Sequence, residues 1–123
     1  MTAPNATLAD FTPFLHALTA ALLAYDDAVD ELNRLRTLEA AAQQALLDKR
    51  AVVFRDGLVG TNDAARSAYL AEQTADEAKE VARLTSLRTI ATSLVEVAQA
   101  RLSVEKIRVR AIVTLAQHAE GDE

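Results

Sequence analysis

The stretch Arg55-Asp56-Gly57-Leu58-Val59-Gly60-Thr61-Asn62 decides the fold, because it gathers two of the three glycines in a chain of 123 residues. Gly57 reads as the residue just past a helix end, where positive φ costs glycine little. Thr61 or Asn62 then reads as the N-cap of the next helix. Outside this stretch there are few breakers: one more glycine and two prolines, against 26 alanines. A chain so rich in Ala and Leu favours helix on both sides of the turn. The sequence therefore predicts an all-α antiparallel two-helix hairpin turning near 56–62, within a single domain over 12–118.

Upstream of the turn, Thr12-Pro13 reads as a helix start after a loose lead-in over 1–11, with Thr as N-cap and Pro in the first turn. Phe11, Leu15, Leu18, Leu22, Tyr25, Val29 and Leu32 then recur with spacings of 4-3-4-3-4-3, the pattern of a coiled-coil seam. Past Leu32 the stripe steps by three through Leu35 and Leu38, then resumes at Ala42 and Leu46. Such a step overwinds a supercoil locally without ending the helix, so one helix is expected from 12 to 55.

Downstream, Thr74 and Glu77 have capping-box spacing. A short third helix ending near Gln73 and one unbroken helix both fit. From Val81 to His118, Leu84, Leu87, Ala91, Leu94, Ala98, Leu102, Val109, Ile112 and Ala116 form one apolar set. Ile90, Val97, Val104, Ala111 and Leu115 form a second beside it. Together they span an arc of roughly 160–180°, wider than a hairpin partner alone requires. The excess points to coiled-coil-like oligomerisation through the second helix. The β-branched run 104–113 lacks strict alternation and holds no turn signal, so it is read as helix. An acidic tail follows at 119–123.

Composition narrows the function classes. There is no cysteine, which removes disulfides, thiol catalysis and thiolate metal sites. The apolar run 14–24 is too short to span a membrane and follows Asp10 without any Lys or Arg, a poor signal peptide. No membrane contact and a cytoplasmic location are expected. Asp26, Asp27, Asp30 and Glu31, and likewise Asp76, Glu77 and Glu80, have the helical spacing with which carboxylates hold Mg²⁺ in all-α nucleotide pyrophosphohydrolases. A hairpin centred near residue 59 sets residue 27 opposite roughly 92, and residue 77 opposite roughly 42. The clusters then never meet, so they read as solvated faces. The two histidines, His16 and His118, fall at different heights, and no triad, HExxH or phosphate loop is present. The chain is read as non-enzymatic, with no metal and no cofactor.

The net charge of −5 is unevenly spread. Residues 1–78 carry six basic and twelve acidic groups, whereas 79–110 carry seven basic and three acidic. Arg101, Glu105 and Arg108 fall near the centre of the apolar arc with Leu94 and Ile112. Glu105 is spaced to bridge both arginines, and the set reads as interface and register residues. Arg88, Lys106 and Arg110, with Arg83 in the same basic stretch, read as an outer stripe able to track phosphates.

The stretch Gly60-Thr61-Asn62-Asp63-Ala64-Ala65-Arg66-Ser67-Ala68-Tyr69-Leu70 resembles a G-x-N-x-x-x-R-x-x-x-L pattern in small helical proteins of tailed phages and prophages. Those proteins are similar in layout to UvsY-type recombination mediators, oligomers that help load a recombinase on single-stranded DNA. The hairpin layout also resembles secreted WXG-type proteins, from which the absence of Trp in 55–62 sets it apart. The first resemblance implies a DNA-recombination accessory, with itself, single-stranded DNA or a recombinase as partners. A structural scaffold or protein adaptor without DNA contact is the alternative expectation.

Overall fold

The computed structural model describes residues 8–121, with side chains from 11 to 119, and every regular element within them is helical. Residues 1–7 of the expected lead-in (1–11) and 122–123 of the expected tail (119–123) lie outside the described residues, whereas 8–11 and 119–121 are helical rather than lead-in and tail. Three helices follow one another: α1 (Leu8–Asp56), α2 (Asp63–Gln73) and α3 (Ala75–Gly121). Residues 104–113 are α-helical, as the period indicated.

The punctuation between α1 and α2 follows from local chemistry. Gly57 has φ +98° and donates its N–H to the Val53 carbonyl at 3.1 Å, closing the last turn of α1. Asn62 caps α2, its side-chain oxygen accepting from the Ala65 N–H at 2.8 Å. Gly60 has φ +150°, and a Cβ there would lie 2.8 Å from both the Ala65 Cβ and the Arg66 backbone nitrogen. Arg66 reaches back to the Gly60 carbonyl at 3.3 Å and pairs loosely with Asp63. The Gly60, Asn62 and Arg66 pattern is thus a self-contained turn and cap; Arg66 does not reach the acidic groups of α1. Gly60→Ala is expected to cost about 1–3 kcal/mol through forced backbone strain. Gly57→Ala, where a Cβ meets nothing within 4 Å, is expected to cost less. Thermal midpoints of the two variants check this order.

Two boundary expectations are corrected. Pro13 lies inside α1 rather than in its first turn, and Thr12 is not the cap. The helix starts earlier because Leu8 onward is helical, and one missing N–H near a helix end removes only one ladder bond. Thr74 does not form a capping box. It closes α2, its hydroxyl donating to the Leu70 carbonyl at 2.8 Å, and is itself buried. The Ala78 N–H donates to the Thr74 carbonyl, so α3 starts at once. Other helix threonines satisfy their hydroxyls in the same way on the carbonyl four residues back, as Thr19, Thr37, Thr92 and Thr114 do.

The helices are apportioned between two compact units, in each of which α1 and α3 pack together. One joins α1 up to Asp30 with α3 from Ser93; the other spans 31–92. In the first, the buried core is Ala21 and Leu102 with half-buried Leu18, Tyr25, Ala28, Val95, Ala98, Val109 and Ile112. In the second it is Leu32, Leu35, Leu46, Val53, Leu84 and Ala91. The packed face of α1 keeps an unbroken 4-3 spacing through Leu18, Ala21, Tyr25, Ala28, Leu32, Leu35, Glu39, Ala42, Leu46, Lys49 and Val53. The expected step at Leu35–Leu38 is absent, and Leu15, Leu22 and Leu38 are exposed. Ranking by hydrophobicity favours Leu over Ala, whereas a close helix approach favours the small side chain.

The register also differs from expectation. A fold centred near residue 59 would set residue 39 opposite roughly 80, yet Glu39 pairs with Arg88, about two helical turns further on. The α2 segment and its break at Thr74 absorb the difference, so pairing cannot be counted from the glycine turn.

Candidate functional site

The surface feature that stands out is on α3. Its packed face runs Val81, Leu84, Arg88, Ala91, Val95, Ala98, Leu102, Glu105, Val109, Ile112 and Ala116, with strict 3-4 spacing. One position away runs a second 3-4 stripe that is exposed at every position. In the first unit it comprises Leu94, Val97, Arg101, Val104, Arg108, Ala111 and Leu115; Leu87 and Ile90 lie in the same phase within the second unit. Leu94 is 57% exposed, Val97 66% and Leu115 68%. Scattered apolar side chains on a surface carry no message, but a helical stripe in which five of seven positions are apolar, interrupted by Arg101 and Arg108 alone, does.

The arc expected from the sequence is thus split: one edge packs on α1 and the other faces outward. Leu94, Arg101 and Arg108 belong to the outward stripe, whereas Glu105 and Ile112 belong to the packed face. Glu105 is buried and bridges one arginine rather than two. Its Oε1 accepts from Arg108 at 3.0 Å, while Oε2 is buried with no hydrogen-bond partner. The Arg108 side chain remains largely exposed, and Arg101 is exposed and makes no ion pair among the described residues.

The expected phosphate-tracking stripe is also divided. Arg88 sits on the packed face rather than the outer one, its Nε donating to both Glu39 oxygens at 2.9 Å. Arg83 is held by Glu80 one turn back, at 2.6 Å. Lys106 and Arg110 are exposed and make no ion pair among the described residues. Its 3-4 spacing sets Arg88 on the seam, although its charge alone points to solvent.

The Arg88 hydrogen bond holds the Glu39 carboxyl below the usual glutamate range, against the opposing pull of burial and with help from Thr85. A carboxyl depressed in the folded state adds stability above its unfolded value of about 4.3, and loses it as pH falls through the folded value. Arg88→Leu is therefore expected to lower the urea midpoint at pH 7 and to lower it much less at pH 3. An equal deficit at both pH values would show that the pair contributes nothing electrostatic.

Of the acidic residues, Glu31 pairs with Arg34 at 2.6 Å, and among the described residues no group of three or more His, Asp or Glu side chains is placed to hold a metal ion. An apolar cleft of about 330 Å³ opens between the start of α1 and the end of α3, lined by Phe11, Phe14, Val109 and Val113 among others. Its only polar lining side chain is Gln117, too little to orient a reacting group. Among the described residues no helix is long and apolar enough to cross a membrane. Comparison of the chain with protein families, with characterised proteins and with solved structures gives no match.

Proposed function

We propose that the chain is a self-associating helical adaptor without catalytic activity, an antiparallel hairpin of α1 and α3 whose copies join through the outward stripe of α3. The observation that carries this reading is the uncovered 3-4 stripe beside the packed one. A helix with two apolar seams has the pattern of one that serves two neighbours. The core beneath it is thin: among the described residues eight apolar side chains are buried, and two of these are alanines. Folding that leans on association makes the thermal midpoint concentration-dependent. A midpoint that rises over a hundredfold increase in concentration is expected; a constant midpoint argues for a self-sufficient monomer.

A second reading gives the assembly single-stranded DNA to carry, with a recombinase as protein partner. Its support is Lys106 and Arg110, exposed and making no ion pair among the described residues. Lys106→Glu with Arg110→Glu is expected to weaken binding of a fluorescent single-stranded oligonucleotide at least tenfold at low salt, and to flatten its salt dependence. No binding by the natural chain leaves the scaffold alternative, an adaptor with protein partners only.

A further inference from the structure

The outward stripe of α3 has a counterpart on α1, and the two differ in charge. In the first compact unit, Leu15, Thr19, Leu22, Asp26 and Val29 recur with 4-3 spacing one position after the packed face of α1. Leu15 and Leu22 are 42% and 40% exposed. Asp26 and Asp30, one turn apart on that side, are exposed and make no ion pair among the described residues. The α3 stripe places Arg101 and Arg108 among Leu94, Val97 and Val104 instead.

We infer that the second copy docks heterologously: the α3 stripe of one chain lies on the α1 stripe of the next, with Arg101 and Arg108 meeting Asp26 and Asp30. This rests on the self-association proposed above and assigns its two surfaces. The alternative pairings carry a charge penalty. Two α3 stripes brought face to face would place two Arg101 guanidinium groups in one apolar layer, beside two Arg108 groups each already paired with its own Glu105, and two α1 stripes would gather carboxylates, whereas the mixed contact joins opposite charges at partly desolvated positions.

Placement agrees with charge. The α1 stripe is displaced from its packed face toward the C-terminal neighbour (Leu22 after Ala21), the α3 stripe toward the N-terminal neighbour (Leu94 before Val95). In an antiparallel pair of right-handed helices, like displacements fall on one side of the pair and unlike displacements on opposite sides. With α1 and α3 antiparallel, each chain then offers one stripe on either side. Because the two stripes lie on opposite sides of the pair, they cannot meet reciprocally in a twofold dimer, and the contact repeats from copy to copy, around a ring or along a filament.

Because the chain has no cysteine, single introduced thiols report the contact cleanly. Full-length Leu22→Cys, Val97→Cys and Val104→Cys variants are treated with a short bis-maleimide, each alone and in mixed pairs, alongside light scattering. The expected result is a covalent dimer when Leu22→Cys is mixed with Val97→Cys or Val104→Cys, and little from any variant alone. Asp26→Arg is expected to weaken association at least tenfold, and combining it with Arg101→Asp in one chain to restore it. Cross-linking of Val97→Cys or Val104→Cys alone would overturn the heterologous contact while leaving self-association standing. So would an oligomer that cross-links in no combination. A monomer by scattering would overturn both.

Discussion

Leu94→Gln combined with Val104→Gln is expected to convert the assembly into monomers without loss of helix. Both side chains face outward on α3, at 57% and 46% exposure, so neither contributes to the packing of α3 on α1. Gln is a good helix former, so the helix itself is not penalised. If a second copy covers the stripe, each substitution removes about 1–1.5 kcal/mol of apolar burial, about half the full figure because each side chain is already about half covered. The pair then weakens association by roughly 30- to 150-fold. Sedimentation equilibrium measures this directly, with circular dichroism as the control for helix content. A variant that keeps the natural chain's mass at micromolar concentration would show that the stripe is not the joint.

The second large effect concerns the packed face. Glu105→Leu is expected to raise thermal stability, against the usual direction of a substitution at a buried position. The Glu105 carboxylate is buried on α3 with one oxygen accepting from Arg108 and the other unpartnered. An unsatisfied buried acceptor costs about 1–3 kcal/mol, and apolar replacement of a poorly compensated buried charge is often stabilising. For a chain of this size that corresponds to a rise of about 4–12 °C. Arg108, largely exposed, loses little on release. Glu105→Gln, which removes the charge and keeps the shape, is expected to give a smaller rise. A fall in midpoint on Glu105→Leu would mean that the second oxygen is satisfied in solution, with Arg101 four residues back as the nearest candidate donor in sequence.

The helices and the turn were legible in the sequence because they depend on local chemistry. Glycine at positions 57 and 60 and Asn62 as cap act over a few residues, and no distant contact competes with them. The boundary at Gln73 was legible as one of two options, but its mechanism was not: Thr74 bonds back to Leu70 instead of forward to the residue that spacing suggested. The seam of α1 was misread by one position at Leu15 and Leu22, because hydrophobicity ranks Leu above the Ala21 and Ala28 that a close helix approach selects. The pairing of Glu39 with Arg88 was not legible, since the length of chain taken up by α2 sets the register and no local pattern encodes it. Arg88 reads as an outer residue for another reason: its charge points to solvent, while its 3-4 spacing sets it on the seam. The breadth of the apolar arc on α3 was legible; which of its two edges packs inward was not, because both repeat with the same period.

The most direct test of self-association is light scattering on a sizing column over a concentration series of the natural chain. The proposed assembly predicts a mass that is an integral multiple, greater than one, of the 13.2 kDa chain at micromolar concentration, falling on dilution. A mass of one chain at every concentration would contradict it.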